Sequence, residues 1–177
     1  MPGLPVVGKA HEDARAGAPF TWFIYGSSLD RDAFAAWAAE HGYRVPDFAA
    51  AWPARLDGHR LAFNVQSRFW GGATASLVAA PGEAVEGIAL PMSGEQGGLV
   101  DHKEGAISGL YAPFAVAVTP LAGGAPVPAI AYRAARPVDL PEGQELPPSP
   151  RFLETLVRGA RAWGLSSAWI AQLSRRP

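Results

Sequence analysis

Residues 23–30 read FIYGSSLD. Two apolar residues and Tyr25 run directly into a glycine, two serines and an aspartate. Upstream, FTWFIY (20–25) is β-branched and aromatic and predicts a buried strand. Downstream, DRDAFAAWAAEH (30–41) predicts a helix. Phe34, Trp37 and Ala38 share one face, acidic residues occupy the first turn, and Gly42 follows as a stop. The loop between them exposes backbone where a strand hands over to a helix. The first N–H groups of such a helix lack intrahelical partners, and with the helix dipole they attract an anion. Gly26 lets the chain turn sharply and approach a ligand closely. Ser27 or Ser28 is expected to cap the helix. Local chemistry alone favours an ordinary strand-to-helix turn that binds nothing.

Working outward, strands are expected over 55–65, 73–79 and 84–91, the last two separated by a turn at Pro81-Gly82. Ser93 to Gln96 matches the Ser-x-x-Gln capping box and predicts a short helix over 94–103. Residues 110–120 and 127–134 read as a strand pair joined at Gly123-Gly124. The proline-rich stretch 136–150 reads as a loop, a strap across the surface. Ser149-Pro150 then supplies an N-cap and a proline at the first helical position. Phe152, Leu156, Ala160 and Trp163 recur at helical spacing up to Gly164, and a last short helix covers about 167–174. Six short strands with helices at the edges and end give an α+β domain with a curled sheet. Residues 1–19 are expected to form a flexible leader and 20–177 a single domain.

Composition narrows the function. The 177 residues are 49% hydrophobic and 18% charged, with a formal net charge of -1. That describes a globular chain with a core and gives no bias toward nucleic acid or anionic membrane. No apolar stretch approaches the ~20 residues of a membrane span. Cysteine is absent, which excludes disulfides, thiolate metal sites and a cysteine nucleophile and fits a cytoplasmic protein. His11, His41, His59 and His102 lack metal-ligand spacing, so no metal is expected. Ser27 and Ser28 do not sit in Gly-x-Ser-x-Gly, and the phosphate-loop pattern Gly-x-x-x-x-Gly-Lys is missing.

A second candidate is Asp101-His102-Lys103-Glu104-Gly105, where an acid ends a predicted helix. Burial and an unfavourable helix C-terminus both raise a glutamate's pKa toward the range useful for acid–base work. The bland alternative is a solvated glutamate beside Lys103. For Tyr111 and Tyr132 it is packing in a strand.

Together these pieces resemble the γ-glutamylcyclotransferase family. Its Tyr-Gly-Ser-Asn-Leu loop after the first strand is matched by Tyr25-Gly26-Ser27-Ser28-Leu29. Its small-residue strand after Gly-Gly is matched by Trp70-Gly71-Gly72-Ala73-Thr74-Ala75, and its glycine-centred strand by Val85-Glu86-Gly87-Ile88. Its Leu-Asp-x-x-Glu-Gly with a tyrosine seven residues after the glutamate is matched by Val100 through Gly105 and Tyr111. Pro147-Pro148-Ser149-Pro150, a helix and Gly164-Leu165 are similar to the C-terminal part of the γ-glutamyl amino acid branch. The likeness runs from about residue 21 to 173.

The resemblance implies a small mixed β-barrel-like sheet flanked by helices. It also implies an enzyme that splits a γ-glutamyl amide into 5-oxoproline and a free amine or amino acid, without cofactor or metal. By position, Glu104 is the implied catalytic residue. Tyr25, Gly26, Ser27, Ser28, Leu29 and Tyr111, with Tyr132, are the expected substrate-binding residues. The partner is a small γ-glutamyl substrate, not nucleic acid or membrane, and a homodimer is left open. Ser28 departs from the family's asparagine and lacks its amide donor, which touches substrate preference. The sequence around Glu104 differs from that of the glutathione-specific branch, and the Tyr-Gly-Thr-Leu-Lys loop of the γ-glutamylamine branch is not seen. The competing reading is a binding or interaction module that keeps the pocket without turnover.

Overall fold

The computed structural model describes residues 17–176; the leader expected over 1–19 lies, up to residue 16, outside the described residues. The strands are β1 (Phe20–Ile24), β2 (Trp52–Ser67), β3 (Gly72–Met92), β4 (Tyr111–Pro120) and β5 (Val127–Ala134). The helices are α1 (Arg31–Glu40), α2 (Gly97–Lys103), α3 (Pro150–Ala162) and α4 (Ser167–Ser174). The strands close into a barrel in the order β1-β3-β2-β4-β5. Most neighbours are antiparallel; the closing contact of β1 with β5, at Trp22 and Ile130, is parallel. The fold is therefore α+β, a mixed barrel flanked by helices.

Five strands replace the expected six. Residues 73–79 and 84–91 belong to one strand, β3, and the turn expected at Pro81-Gly82 is a bend within it. Asp57 of β2 faces Ala84, whereas His59 already faces Ala79. Gly58 and Gly82 absorb the dislocation at φ of +72° and +84°. Proline cannot donate to the ladder, so locally the pair reads as a turn. A strongly curved sheet uses the same chemistry to change direction without ending the strand.

Trp22, Phe23, Ile24, Ile88, Leu90 and Ile130 are fully buried where β1 meets β3 and β5. Each such side chain contributes roughly 1.5–3 kcal/mol on burial. β1 passes so close to β3 that a Cβ on Gly87 would lie 2.1 Å from the Ile24 carbonyl oxygen. The proline-rich segment is indeed a strap on the β2–β3 hairpin. Val138 and Leu146 donate their N–H groups to the carbonyls of Asn64 and Phe63, and Ala73 donates to Pro147. The strap delivers Ser149, whose hydroxyl accepts from the Phe152 N–H and caps α3. Phe152, Leu156 and Ala160 form the buried face of α3. Ser166 caps α4 and is itself anchored by two bonds to the Glu86 carboxylate, at 2.8 and 2.6 Å.

Candidate active site

The loop after β1 is built differently from the strand-to-helix turn expected. Ser27–Leu29 form a separate 3-10 turn, closed by Leu29 and Asp30 donating to the carbonyls of Gly26 and Ser27. α1 begins only afterwards, and its cap is Asp30, whose carboxylate accepts from the Ala33 N–H at 3.2 Å. The serine cap is thus corrected. The extra turn moves the helix start past both serines, and an aspartate already occupies the helix N-terminus. The groups left for an incoming anion are the amides of the turn. Among the described residues, the N–H groups of Ser27 and Ser28 meet no protein acceptor.

α3 presses the loop into place. Gly159 packs so closely that a Cβ there would sit 2.6 Å from Leu29 Cβ. Arg158 grips Asp30 with two bonds, at 2.9 and 2.5 Å, and the Trp163 indole donates to the Leu29 carbonyl at 3.0 Å. For Asp30, burial opposes the charge, but the Arg158 bonds, the Ala33 N–H and the Arg158 charge outweigh it. Its carboxyl is held below its ordinary value.

Glu104 reaches the same place from the other side. Gln96 accepts from the Ser93 N–H at 2.9 Å, which starts the helical stretch over 94–103. Asp101, on α2 and only 5% exposed, accepts from the Tyr132 hydroxyl at 2.8 Å. The Tyr132 carbonyl in turn accepts from the Tyr25 hydroxyl at 2.5 Å. This chain ties β1, β5 and α2 together. Glu104 is the C-cap of α2, and its N–H donates to Val100 at 2.9 Å. Gly105, at φ +69°, turns the chain away.

These elements enclose a cavity of about 370 Å³. Tyr25, Gly26, Ser27, Ser28, Glu104 and Tyr111 all line it. Leu29 and Tyr132, also expected at the site, do not. Leu29 is buried beneath α3, and Tyr132 lies one layer back, between Tyr25 and Asp101. Thr74 carries no motif signal of its own, yet it lines the cavity, and its hydroxyl lies 2.9 Å from that of Tyr111. Tyr111 also donates to the Ala75 carbonyl at 2.8 Å. The available signal was a hydroxyl amid the small residues that follow Gly71-Gly72. Asp101 had one too, as an acid on the core side of a helix.

Burial pushes the Glu104 carboxyl up to about 7, against the opposing pull of Lys103. The residue is only partly covered because it borders the cavity, while protein crowds the carboxyl itself. Burial raises the phenol of Tyr25, and the Tyr111 and Glu104 charges raise it further. Burial also raises Tyr111, its bond to Thr74 opposes this, and the Glu104 charge adds to it. Both tyrosines remain neutral beside a carboxyl poised to exchange a proton near neutral pH. Among the described residues no group of three or more His, Cys, Asp or Glu could hold a metal ion. No helix there is long and apolar enough to cross a membrane.

The family model described as the AIG2-like family matches residues 84–173, half of the chain. The chain belongs to the AIG2-like family. The match takes in α2 and Glu104, with β4, β5 and α3. A gamma-glutamylcyclotransferase of Bos taurus is 29% identical to this AIG2-like chain over 169 residues, 92% of this chain and 82% of that protein. One of Mus musculus is 26% identical over 161 residues, 89% and 78% respectively. A solved structure described as gamma-glutamyl cyclotransferase superposes with a TM-score of 0.73 at 24% identity, over 90% of this chain and 88% of that one. It shares the fold.

Proposed function

We propose that this protein is a cofactor-independent γ-glutamylcyclotransferase, converting a γ-glutamyl amino acid or amine into 5-oxoproline and the free amine. The names carried by its relatives support the reaction class. The observation that carries the reading is that Glu104, raised to about 7, borders one cavity with the free amides of Ser27 and Ser28.

The substrate's α-amine is an ammonium at neutral pH and cannot attack. The Glu104 carboxylate takes one of its protons. The freed nitrogen then forms a C–N bond to the γ-carbonyl carbon, closing a five-membered ring and placing negative charge on the carbonyl oxygen. As that oxyanion collapses, the original amide C–N bond breaks. Glu104 returns its proton to the leaving nitrogen and is again a carboxylate, while the ring nitrogen sheds its surplus proton to the departing amine, which leaves as an ammonium. The amides of Ser27 and Ser28 hold a substrate oxygen, the α-carboxylate or the developing oxyanion. Ring closure is intramolecular, so holding the chain folded supplies much of the rate. No side-chain nucleophile takes part.

The test is incubation with a panel of γ-glutamyl amino acids and amines, with 5-oxoproline and released amine measured by mass spectrometry. Equal amounts of both are expected. Binding of a non-cyclising glutamyl analogue without 5-oxoproline from any substrate would establish the binding-module alternative instead.

A further inference from the structure

The cavity holds more than a glutamyl group requires, and its outer part is aromatic. The turn between β2 and β3 carries Phe69 and Trp70, and both line the cavity. Phe69 is 74% exposed, so a large apolar ring stands open at the mouth. Leu110 is 46% exposed and also lines the cavity. A single exposed apolar side chain on a soluble protein says little, but Phe69 and Leu110, with half-buried Trp70, line one cavity, and apolar surface gathered at a cavity is where a ligand covers it.

The aromatic rim is also rigidly held. Trp70 packs between Phe69, at 5.2 Å, and Phe152 of α3, at 5.1 Å. The Arg151 guanidinium lies over both rings, 5.1 Å from Phe69 and 4.8 Å from Trp70, and donates to the Phe69 carbonyl. Beneath the turn, Gly72 packs so tightly on the strap that a Cβ would lie 2.6 Å from the Ser149 nitrogen. Phe69 is therefore presented on a fixed platform, without the ordering cost of a mobile loop. The platform adjoins the reaction centre, because Thr74, only a few residues along the same hairpin, meets the Tyr111 hydroxyl.

We infer that Phe69, Trp70 and Leu110 form the leaving-group subsite, and that the preferred substrates are γ-glutamyl amides of amines bearing an aromatic or large apolar side chain. This inference rests on the cyclotransferase reading of the cavity. A glutamyl group uses the polar inner end, with its free amides and Glu104. The departing amine then extends along Phe69, Trp70 and Leu110, where an aromatic or large apolar side chain packs. Apolar pockets of this kind sort substrates by roughly 10–200-fold.

The experiment compares kcat/KM for γ-glutamylphenylalanine, γ-glutamylleucine, γ-glutamylalanine and γ-glutamylglutamate in the wild type, F69A and F69L. The wild type is expected to favour phenylalanine over alanine by about tenfold or more. F69A should lose most of that ratio, chiefly through KM for γ-glutamylphenylalanine, and F69L should keep part of it. Phe69 is exposed, so both variants fold, which thermal melts verify. Release of 5-oxoproline from all four substrates at similar efficiency, with a ratio unmoved by F69A, overturns the subsite and leaves the cyclotransferase reading standing. Release from none overturns both.

Discussion

At Glu104 two consequences of one buried carboxyl can be separated. Glu104→Gln keeps the shape and much of the hydrogen bonding but cannot accept the ammonium proton. Turnover is expected to fall by ~10²–10⁴, while calorimetry still detects a non-cyclising glutamyl analogue. Near-normal release of 5-oxoproline by the variant would remove Glu104 as the base. Stability should move the opposite way, and with pH. Below the ordinary value of 4.5 the group is neutral in both folded and unfolded chains. Between 4.5 and about 7 the unfolded chain gives up its proton while the folded one keeps it, so the folded state loses ground, and the loss is constant above about 7. Glu104→Gln should therefore melt close to wild type at pH 4 and higher at pH 8, by on the order of 1–3 kcal/mol. Wild-type turnover should rise with pH through about 7, as the carboxylate form grows. At this scale the sequence was informative about chemistry and poor at placement. The Asp-x-x-Glu-Gly pattern pointed to Glu104, but Tyr132 and Leu29 carry no local mark that they stand behind the cavity.

Between elements, α3 is the brace that shapes the 27–29 turn. Arg158→Ala removes its grip on Asp30. The arginine is mostly solvent-exposed, so screening limits the cost to about 1 kcal/mol. The sign with pH follows from a carboxyl held below its ordinary 3.8. The stabilisation is fully present above that value and is lost as pH falls through the folded-state pKa. Urea melts should show the deficit at pH 6 and show it shrinking at pH 3; an equal deficit at both would assign it to packing alone. Gly159→Ala tests the close approach itself. Its methyl would meet Leu29 Cβ at 2.6 Å and the Leu29 carbonyl carbon at 2.9 Å. Neither can yield without moving backbone, so a loss of about 1–3 kcal/mol is expected, together with a raised KM as the loop amides shift. A KM unchanged in a destabilised variant would detach the loop from substrate binding. The helices themselves were readable, because caps, periodicity and glycine stops are local signals. The identity of the α1 cap was not. Ser27, Ser28 and Asp30 all have capping side chains, and only the 3-10 turn, held under α3, selects Asp30.

For the molecule as a whole, closure of the barrel depends on β1 lying against β3 at Gly87. Gly87→Ala would drive a methyl to 2.1 Å from the Ile24 carbonyl oxygen. With backbone on both sides, the expected loss is about 3 kcal/mol or more, read as a lowered denaturation midpoint or insoluble expression; a wild-type midpoint would contradict the close packing. The sequence by itself determined the α+β class, the order of strands and helices and the two chemically notable segments. Each follows from interactions within a few residues: side-chain alternation, helical spacing, capping and breakers. Tertiary structure alone decided that Pro81-Gly82 bends one long strand instead of ending a short one. It alone placed the 26–28 turn and Glu104, more than seventy residues apart, around one cavity. It also raised the Glu104 carboxyl to about 7, because desolvation depends on every atom crowded around a group, and the cavity Glu104 borders is walled by the loop after β1 and by β3, β4 and α2 together.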